Sequence, residues 1–468
     1  MLGLYIRVIT IIVMNRIFID RVNELEILNE CLQSKKFEFI VVFGRRRVGK
    51  TELLKEFIKD KTSLYFLCSN RKITYNLKKF SERVCQFINI PSVTFNSFQD
   101  AFDAILSKMR EKTIIVIDEF GYLVRRDSGI LSDFQEIVDE KLKGSNTMLI
   151  LCGSSVSMME TRVLGYKSPL YGRATRYIKV EPFDFLTLKL WFQNTPYEDI
   201  VKIYSITNGV AKYLEFFSGK DVEEEIVRNF FDPSSFLFED ALRLLSDELR
   251  DYSTYIQVLE AIGLGYNRIN EIADYAFIQP KDVFFYLKVL SSLGIVKRIV
   301  PIFSPKRVKR GLYVIDDNYF NFWFRFVSPF QAEIESGMQE IAVENFKNNF
   351  NSYVGIVFEK IVQQLLYKKR ILPFNITKIG KWWYKDREID LVAVNEKDKQ
   401  AAFLEVKWSR LREEEVLKII DWIKKVCKEI RWFRDKRTEH FGVIAKEIEN
   451  KEKLRKEGYI VFDLKDLT

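Results

Sequence analysis

The chain has 468 residues, of which 47% are hydrophobic and 30% charged, and it carries a formal net charge of +9. That length exceeds what one core organises, so roughly two to four domains are expected, and the composition excludes wholesale disorder. The charge is uneven: residues 1–240 hold 34 basic and 32 acidic residues and residues 241–468 hold 40 and 33, so the second half is the better candidate for touching a polyanion.

Residues 1–13 are apolar apart from Arg7. They are too short to span a bilayer and lack a small-residue cleavage site, so residues 1–14 are expected to be an extension. No other stretch approaches about 20 continuous apolar residues, so no membrane partner and a cytoplasmic location are expected. Residues 18–33 read as a helix, with Leu25, Leu28 and Leu32 on one face. Phe37 to Phe43 is a short run of β-branched and aromatic residues, as in a buried strand. Thr51 to Ile58 is helical again. Ser63 to Cys68, Thr113 to Ile117 and Thr147 to Cys152 are further buried strands separated by helical segments. That alternation predicts an α/β fold with a mostly parallel sheet covered on both faces.

The aromatic, periodic stretch Phe183 to about Phe217 reads as a helical lid, and Asp232 to Ser235 as a linker. Helices are expected at Tyr255 to Ile262, Ile269 to Tyr275 and Pro280 to Leu293, the last ended by Gly294. Strands at Ile295 to Phe303 and Gly311 to Ile315 then flank the turn Ser304-Pro305. Helices followed by such a hairpin form the winged helix-turn-helix pattern. Beyond a connector comes a long helix, Phe346 to Tyr367. Strands are expected at Ile379 to Tyr384, Ile389 to Val394, Ala402 to Val406, Phe441 to Ala445 and Tyr459 to Asp463, with a helix at Glu413 to Glu429. The expected domains are a core over 15–183, a lid over 184–245, a winged helix over 246–318, a connector over 319–345 and a small α/β domain over 346–468.

Gly44-Arg45-Arg46-Arg47-Val48-Gly49-Lys50-Thr51 matches the pattern GxxxxGK[ST] between a strand and a helix. Glycines there let the backbone wrap an anion, and the helix N-terminus faces it. Lys50 is expected to reach the β- and γ-phosphates of ATP, and the Thr51 hydroxyl to bind Mg²⁺. Asp118, at the end of a buried strand, is placed to hold the same ion, and Glu119 to polarise the attacking water. Ser154 follows the next strand, where its hydroxyl can contact the γ-phosphate or the water. Among Arg162, Arg173 and Arg176, Arg173 is the candidate arginine finger.

The pieces FIDRVNELEIL, FGRRRVGKTELL, IIVIDEFGYL, LCGSSVSMME, SPLYGRATRYIKVEPF and TNGVAKYLEFF resemble archaeal P-loop ATPases of the STAND branch of the AAA+-like class. The resemblance covers nearly the whole chain and implies a nucleotide-driven switch. It also implies that the first piece packs beside adenine, which points to Phe18 and Arg21. The TNGVAKYL piece is similar to a lid motif that usually reads Gly-x-Pro. Ala211 stands at the proline position, so the contact that proline makes with nucleotide is left open.

In the last segment, Asp390 closes Arg387-Glu388-Ile389-Asp390, and Glu405 and Lys407 fall on one side of the following strand. Asp390 and Glu405 can bind Mg²⁺, Lys407 can orient water, and Glu359 on the preceding helix can complete the cluster. This order resembles the PD-(D/E)xK restriction-endonuclease-like family, with Ile389-Asp390 in place of the proline-aspartate pair. The resemblance implies a nuclease-like fold, active or not. Lys297, Arg298, Lys306, Arg307, Lys309 and Arg310 fall on the expected wing with no acid among them, which suits DNA phosphates. The helix 280–293 is mostly apolar, so a wing that serves instead as a protein-contact module stays open. An oligomer is compatible with the sequence. The five cysteines form no CxxC pair, and the single histidine, His440, is expected at a strand edge rather than in catalysis.

Overall fold

The computed structural model describes residues 11–13, 16–109, 111–249, 251–305 and 311–467. It divides into two compact units, Met1–Phe183 with Val210–Lys212, and Asp184–Gly209 with Tyr213–Thr468.

In the first unit a short antiparallel pair, β1 (Ile11–Val13) and β2 (Arg16–Phe18), precedes α1 (Val22–Gln33). Then follow β3 (Glu38–Phe43), α2 (Lys50–Ile58), β4 (Ser63–Leu67), α3 (Ile73–Phe87), α4 (Phe98–Lys108) and β5 (Thr113–Asp118). The unit continues with α5 (Gly121–Arg126), α6 (Ile130–Glu136), β6 (Thr147–Gly153), α7 (Val156–Met158) and β7 (Arg176–Lys179). The sheet is parallel, in the order β4-β5-β6-β3-β7.

Period-two alternation explains its two cores. Phe39, Val41 and Phe43 of β3, with Ile115 and Ile117 of β5, face a layer holding Phe80, Phe102 and Phe134. Ile40 and Val42, with Ile114 and Val116, face the layer of Leu28, Leu53, Leu54 and Phe57. Both faces are covered, so the strands read as continuous apolar runs. Strand β7 escapes that signal because only Ile178 of Arg-Tyr-Ile-Lys is buried. The first helix starts at Val22 rather than 18, because Asp20 and Arg21 take left-handed backbone angles (φ 61° and 66°).

The second unit opens with α8 (Phe185–Trp191) and α9 (Tyr197–Thr207); α10 (Ala211–Leu214) begins in the first unit's segment. Helices α11 (Val222–Phe230) and α12 (Phe236–Glu248) follow. The expected linker between these two is a capping turn: Ser235 accepts a hydrogen bond from the Phe238 amide, and Asp232 one from the Ser234 amide. Next come α13 (Ser253–Gly263), α14 (Ile269–Tyr275), α15 (Pro280–Ser292) and an antiparallel pair, β8 (Val296–Ile299) and β9 (Leu312–Ile315). The wing cations Lys306, Arg307, Lys309 and Arg310 lie outside the described residues, as do residues 1–10 and 14 of the expected extension and residue 15 at the start of the expected core.

The expected connector is instead a buried helical spine. It comprises α16 (Asn318–Phe322), a π-helical turn Trp323–Val327, a short 3-10 turn Ser328–Phe330 and α17 (Gln331–Glu335), and α18 runs from Glu340 to Lys369. Phe322 packs on Phe230, Phe326, Phe346 and Tyr353 with ring centroids 4.7 to 5.8 Å apart. The polar tips are satisfied: Tyr353 Oη donates to Ser205 O at 2.7 Å and Trp323 Nε1 to Phe238 O at 2.7 Å.

The unit ends in a mixed sheet of β10 (Lys378–Tyr384), β11 (Arg387–Asn395), β12 (Gln400–Leu411), β13 (Thr438–Ile448) and β14 (Ile460–Asp463). The first three strands pair antiparallel, and β12-β13 and β13-β14 pair parallel. Helix α19 (Glu413–Val426) supplies Ile420 and Ile423 to its cores; α20 (Lys451–Lys456) and α21 (Leu464–Leu467) flank the last strand. His440 lies in β13, with Nε2 3.2 Å from Gln400 Oε1.

Candidate nucleotide site and acidic cluster

Parallel strands deliver their carboxyl ends to one edge, so the loops after β3, β5 and β6 meet there. The loop 44–49 leaves β3 tightly. A Cβ on Gly44 would lie 2.2 Å from Val180 O, so only glycine fits, and Val180 N donates to Phe43 O at 2.7 Å. Gly49, at φ 95°, caps α2 and turns its first amides toward the loop.

Lys50 is buried, and its ammonium donates to Gly44 O at 2.9 Å and Arg45 O at 2.8 Å. Burial lowers its pKa. Thr51 Oγ1 donates to Asp118 Oδ2 at 2.9 Å. A hydroxyl and a carboxylate side by side are the protein's share of a Mg²⁺ shell that phosphates and waters complete, so these residues fit that ion. Glu119 stands in the left-handed region at φ 54°, a conformation that costs a non-glycine residue free energy. Its amide donates to Asp118 Oδ1 at 2.8 Å, and its carboxylate accepts a 2.7 Å bond from Ser154 Oγ. Ser154 and Glu119 therefore meet at the end of the sheet.

Tyr65 was not anticipated. Its hydroxyl donates to Asp118 Oδ2 at 2.6 Å, and burial, then the adjacent Asp118, hold it well above the ordinary tyrosine range. An aromatic residue at an alternate position of the neighbouring strand was the available signal.

The other expected residues make these contacts within the chain. Arg21 donates to Val48 O at 2.9 Å, pairs with Glu24 at 3.2 Å and lies 4.3 Å from the Phe183 ring centroid. It thus fastens the phosphate loop. Phe18 packs half-buried against the core beneath α1. Arg173 is held by Asp139 at 2.6 Å and by Pro169 O at 2.7 Å. Ala211 comes within 3.9 Å of where a Cβ on Gly49 would lie, and Lys212 N donates to Arg47 O at 3.2 Å. The segment 210–212 therefore touches the loop through its backbone without the proline.

In the second unit, Asp390 and Glu405 meet on neighbouring strands. Lys407 Nζ lies 3.1 Å from Asp390 Oδ2 and 2.6 Å from Glu405 Oε2, and Val406 N donates to Asp390 Oδ2 at 3.0 Å. Glu359 of α18 is reached through Lys381, which lies 3.3 Å from it and 3.9 Å from Asp390. Burial, then the Asp390 charge, push Glu405 up to about 8 and Glu359 up to about 7. Burial opposes the charge on Lys407, and the Asp390 and Glu405 carboxylates outweigh it and hold its pKa above the ordinary lysine range. Among the described residues no three carboxylate, histidine or cysteine side chains are disposed to hold a metal ion. Ammonium groups bridge the carboxylates instead. Lys381 escaped sequence reading because the β10–β11 register shifts between Gly380 and Trp382.

A family model described as an ATPase domain predominantly from Archaea matches residues 18–217. A second, of archaeal and bacterial proteins of unknown function, matches residues 323–419. An uncharacterized protein of Methanocaldococcus jannaschii is 37% identical over 459 residues, covering 96% of this chain and all of that one. Among solved structures, the Walker-type ATPase of Pyrococcus abyssi is similar in fold, with a TM-score of 0.50 at 24% identity, over 65% of this chain and 95% of that one.

Proposed function

Since the chain belongs to the archaeal family that the full-length Methanocaldococcus jannaschii relative represents, with an ATPase domain at its N-terminal end, we propose that it hydrolyses ATP to control a DNA-contacting module and a nuclease-like domain. The observation that carries the hydrolytic part is the convergence of Lys50, Thr51-Asp118 and Glu119-Ser154 at one sheet edge. The amides of the loop and the head of α2 bind the phosphates. Lys50 exchanges carbonyl partners for phosphate oxygens, which are stronger acceptors of an ammonium. Mg²⁺ between Thr51 and Asp118 would neutralise charge on the β- and γ-phosphates. Glu119, oriented by the Ser154 hydroxyl, takes the proton of the attacking water. Contact of the segment 210–212 with Arg47 supports a switch role, because movement of the loop is felt along the chain on either side.

The DNA-contacting part rests on the helices α13 to α15 with the β8–β9 pair, read as a winged helix, and on Lys297 and Arg298 in β8. The nuclease-like part rests on Asp390, Glu405, Lys407 and Glu359. Phosphate release from the full chain with Mg²⁺, with and without DNA, tests the proposal. DNA-stimulated turnover is expected. Lys50→Ala is expected to reduce turnover by about a thousandfold, and unchanged turnover would refute the phosphate-binding role.

A second reading is a nucleotide-dependent switch or scaffold whose nuclease-like domain does not cut. The ammonium groups of Lys381 and Lys407 among the carboxylates favour it, because they occupy the charge a metal would otherwise neutralise. Plasmid nicking with Mg²⁺ or Mn²⁺ separates the two: nicking that Asp390→Ala abolishes supports cleavage, and none at all supports the scaffold.

A further inference from the structure

We propose that the large cleft of the second unit binds single-stranded DNA, its bases stacked on aromatic side chains, and leads that strand past Glu359 and Asp390. This rests on the DNA-contacting reading above and names its substrate. The cleft is formed by α15, the β8–β9 pair, α18 and the β10–β11 hairpin. Its volume is about 2000 Å³. Small-molecule pockets hold ~300–1,000 Å³, so this is room for a polymer segment. Nine lysines and arginines line it against five carboxylates, as a polyanion requires.

The aromatic groups distinguish a single strand from a duplex. An α-helix that reads a major groove presents polar side chains to base edges. Helix α15 presents Phe284 to the cleft instead, at 58% exposure, one turn before Lys288. The β10–β11 hairpin adds Trp383 and Tyr384 to the lining, followed by Lys385 and Arg387. Phe284 and Trp383 have no aromatic partner among the described residues, and Lys288 makes no ion pair there. Aromatic faces interleaved with cations suit unpaired bases on a tracked backbone, because every base has a face to stack while paired bases keep theirs inside. Glu359 and Asp390 line the same cleft, so a strand held there runs past the acidic cluster.

The test is fluorescence anisotropy with the full chain in EDTA. The probes are a labelled oligothymidylate of about 16 nucleotides, within the usual site size, and its duplex with oligoadenylate. The single strand is expected to bind at least about tenfold more tightly. Phe284→Ala and Trp383→Ala should each weaken it about tenfold, while Trp383→Phe keeps most of the affinity because the ring survives. Phe277→Ala, at an exposed ring outside the cleft, should change nothing. Duplex binding as tight as single-strand binding, or indifference to both alanine variants, would overturn the single-strand assignment and leave DNA contact standing. Binding of neither probe would overturn both.

Discussion

Two pairs of carboxylates, Asp118 with Glu119 at the end of β5 and Asp390 with Glu405 inside β11 and β12, are dressed differently. Asp118 and Glu119 are held by hydroxyls, those of Thr51, Tyr65 and Ser154. Asp390 and Glu405 are held by the ammonium of Lys407, with Lys381 between Asp390 and Glu359. A hydroxyl orients a carboxylate without cancelling its charge. An ammonium cancels charge, and burial then favours protonation of the remaining carboxyls. The same residue types are therefore oriented by neutral donors in one place and neutralised by cations in the other.

The largest effect expected from this contrast is at Glu119. Glu119→Gln keeps the hydrogen bond to Ser154 and loses the base, so turnover should fall about a thousandfold while ATP still binds. Loss of binding in a nucleotide titration would assign Glu119 a structural role and break the contrast. A smaller effect is expected from pH in the second unit. Glu405, near 8, and Glu359, near 7, lie above the ordinary glutamate range, so the folded chain keeps protons that the unfolded chain has released. That contribution to stability is full at acid pH, falls as pH rises, and is gone above about 8. Thermal midpoints measured from pH 5 to 9 should decline, and Glu405→Gln should flatten the decline. An equal slope in the variant would place the retained proton elsewhere.

Much of the first site was legible because its signals are local. A loop of fixed spacing between a strand and a helix, two acids closing an apolar run and a serine after the next strand are each visible in the linear chain. Tyr65 was not, because its meeting with Asp118 depends on β4 lying beside β5, which is a matter of strand order. In the second unit Asp390, Glu405 and Lys407 were legible from alternation, whereas the aim of Lys381 depends on a register shift that no pattern announces. The segment 319–345 misled for the opposite reason. Its aromatics are buried all round, so no polar stripe marks the helices, and a core spine reads as a connector. The pairing of Arg173 with Asp139 was not legible, since the two lie 34 residues apart.

The segment Val210–Lys212 sits with the first unit while the residues on both sides of it sit with the second. A cut at a single peptide bond therefore always leaves one unit short of residues or carrying residues of the other. A fragment stopped at Phe183 would lack the three residues that lie against Gly49 and Arg47, and the remainder would carry them as a stray loop. The natural cut for an isolated N-terminal piece comes later, near residue 217, where the family match also stops, and such a piece takes two helices of its neighbour along with it.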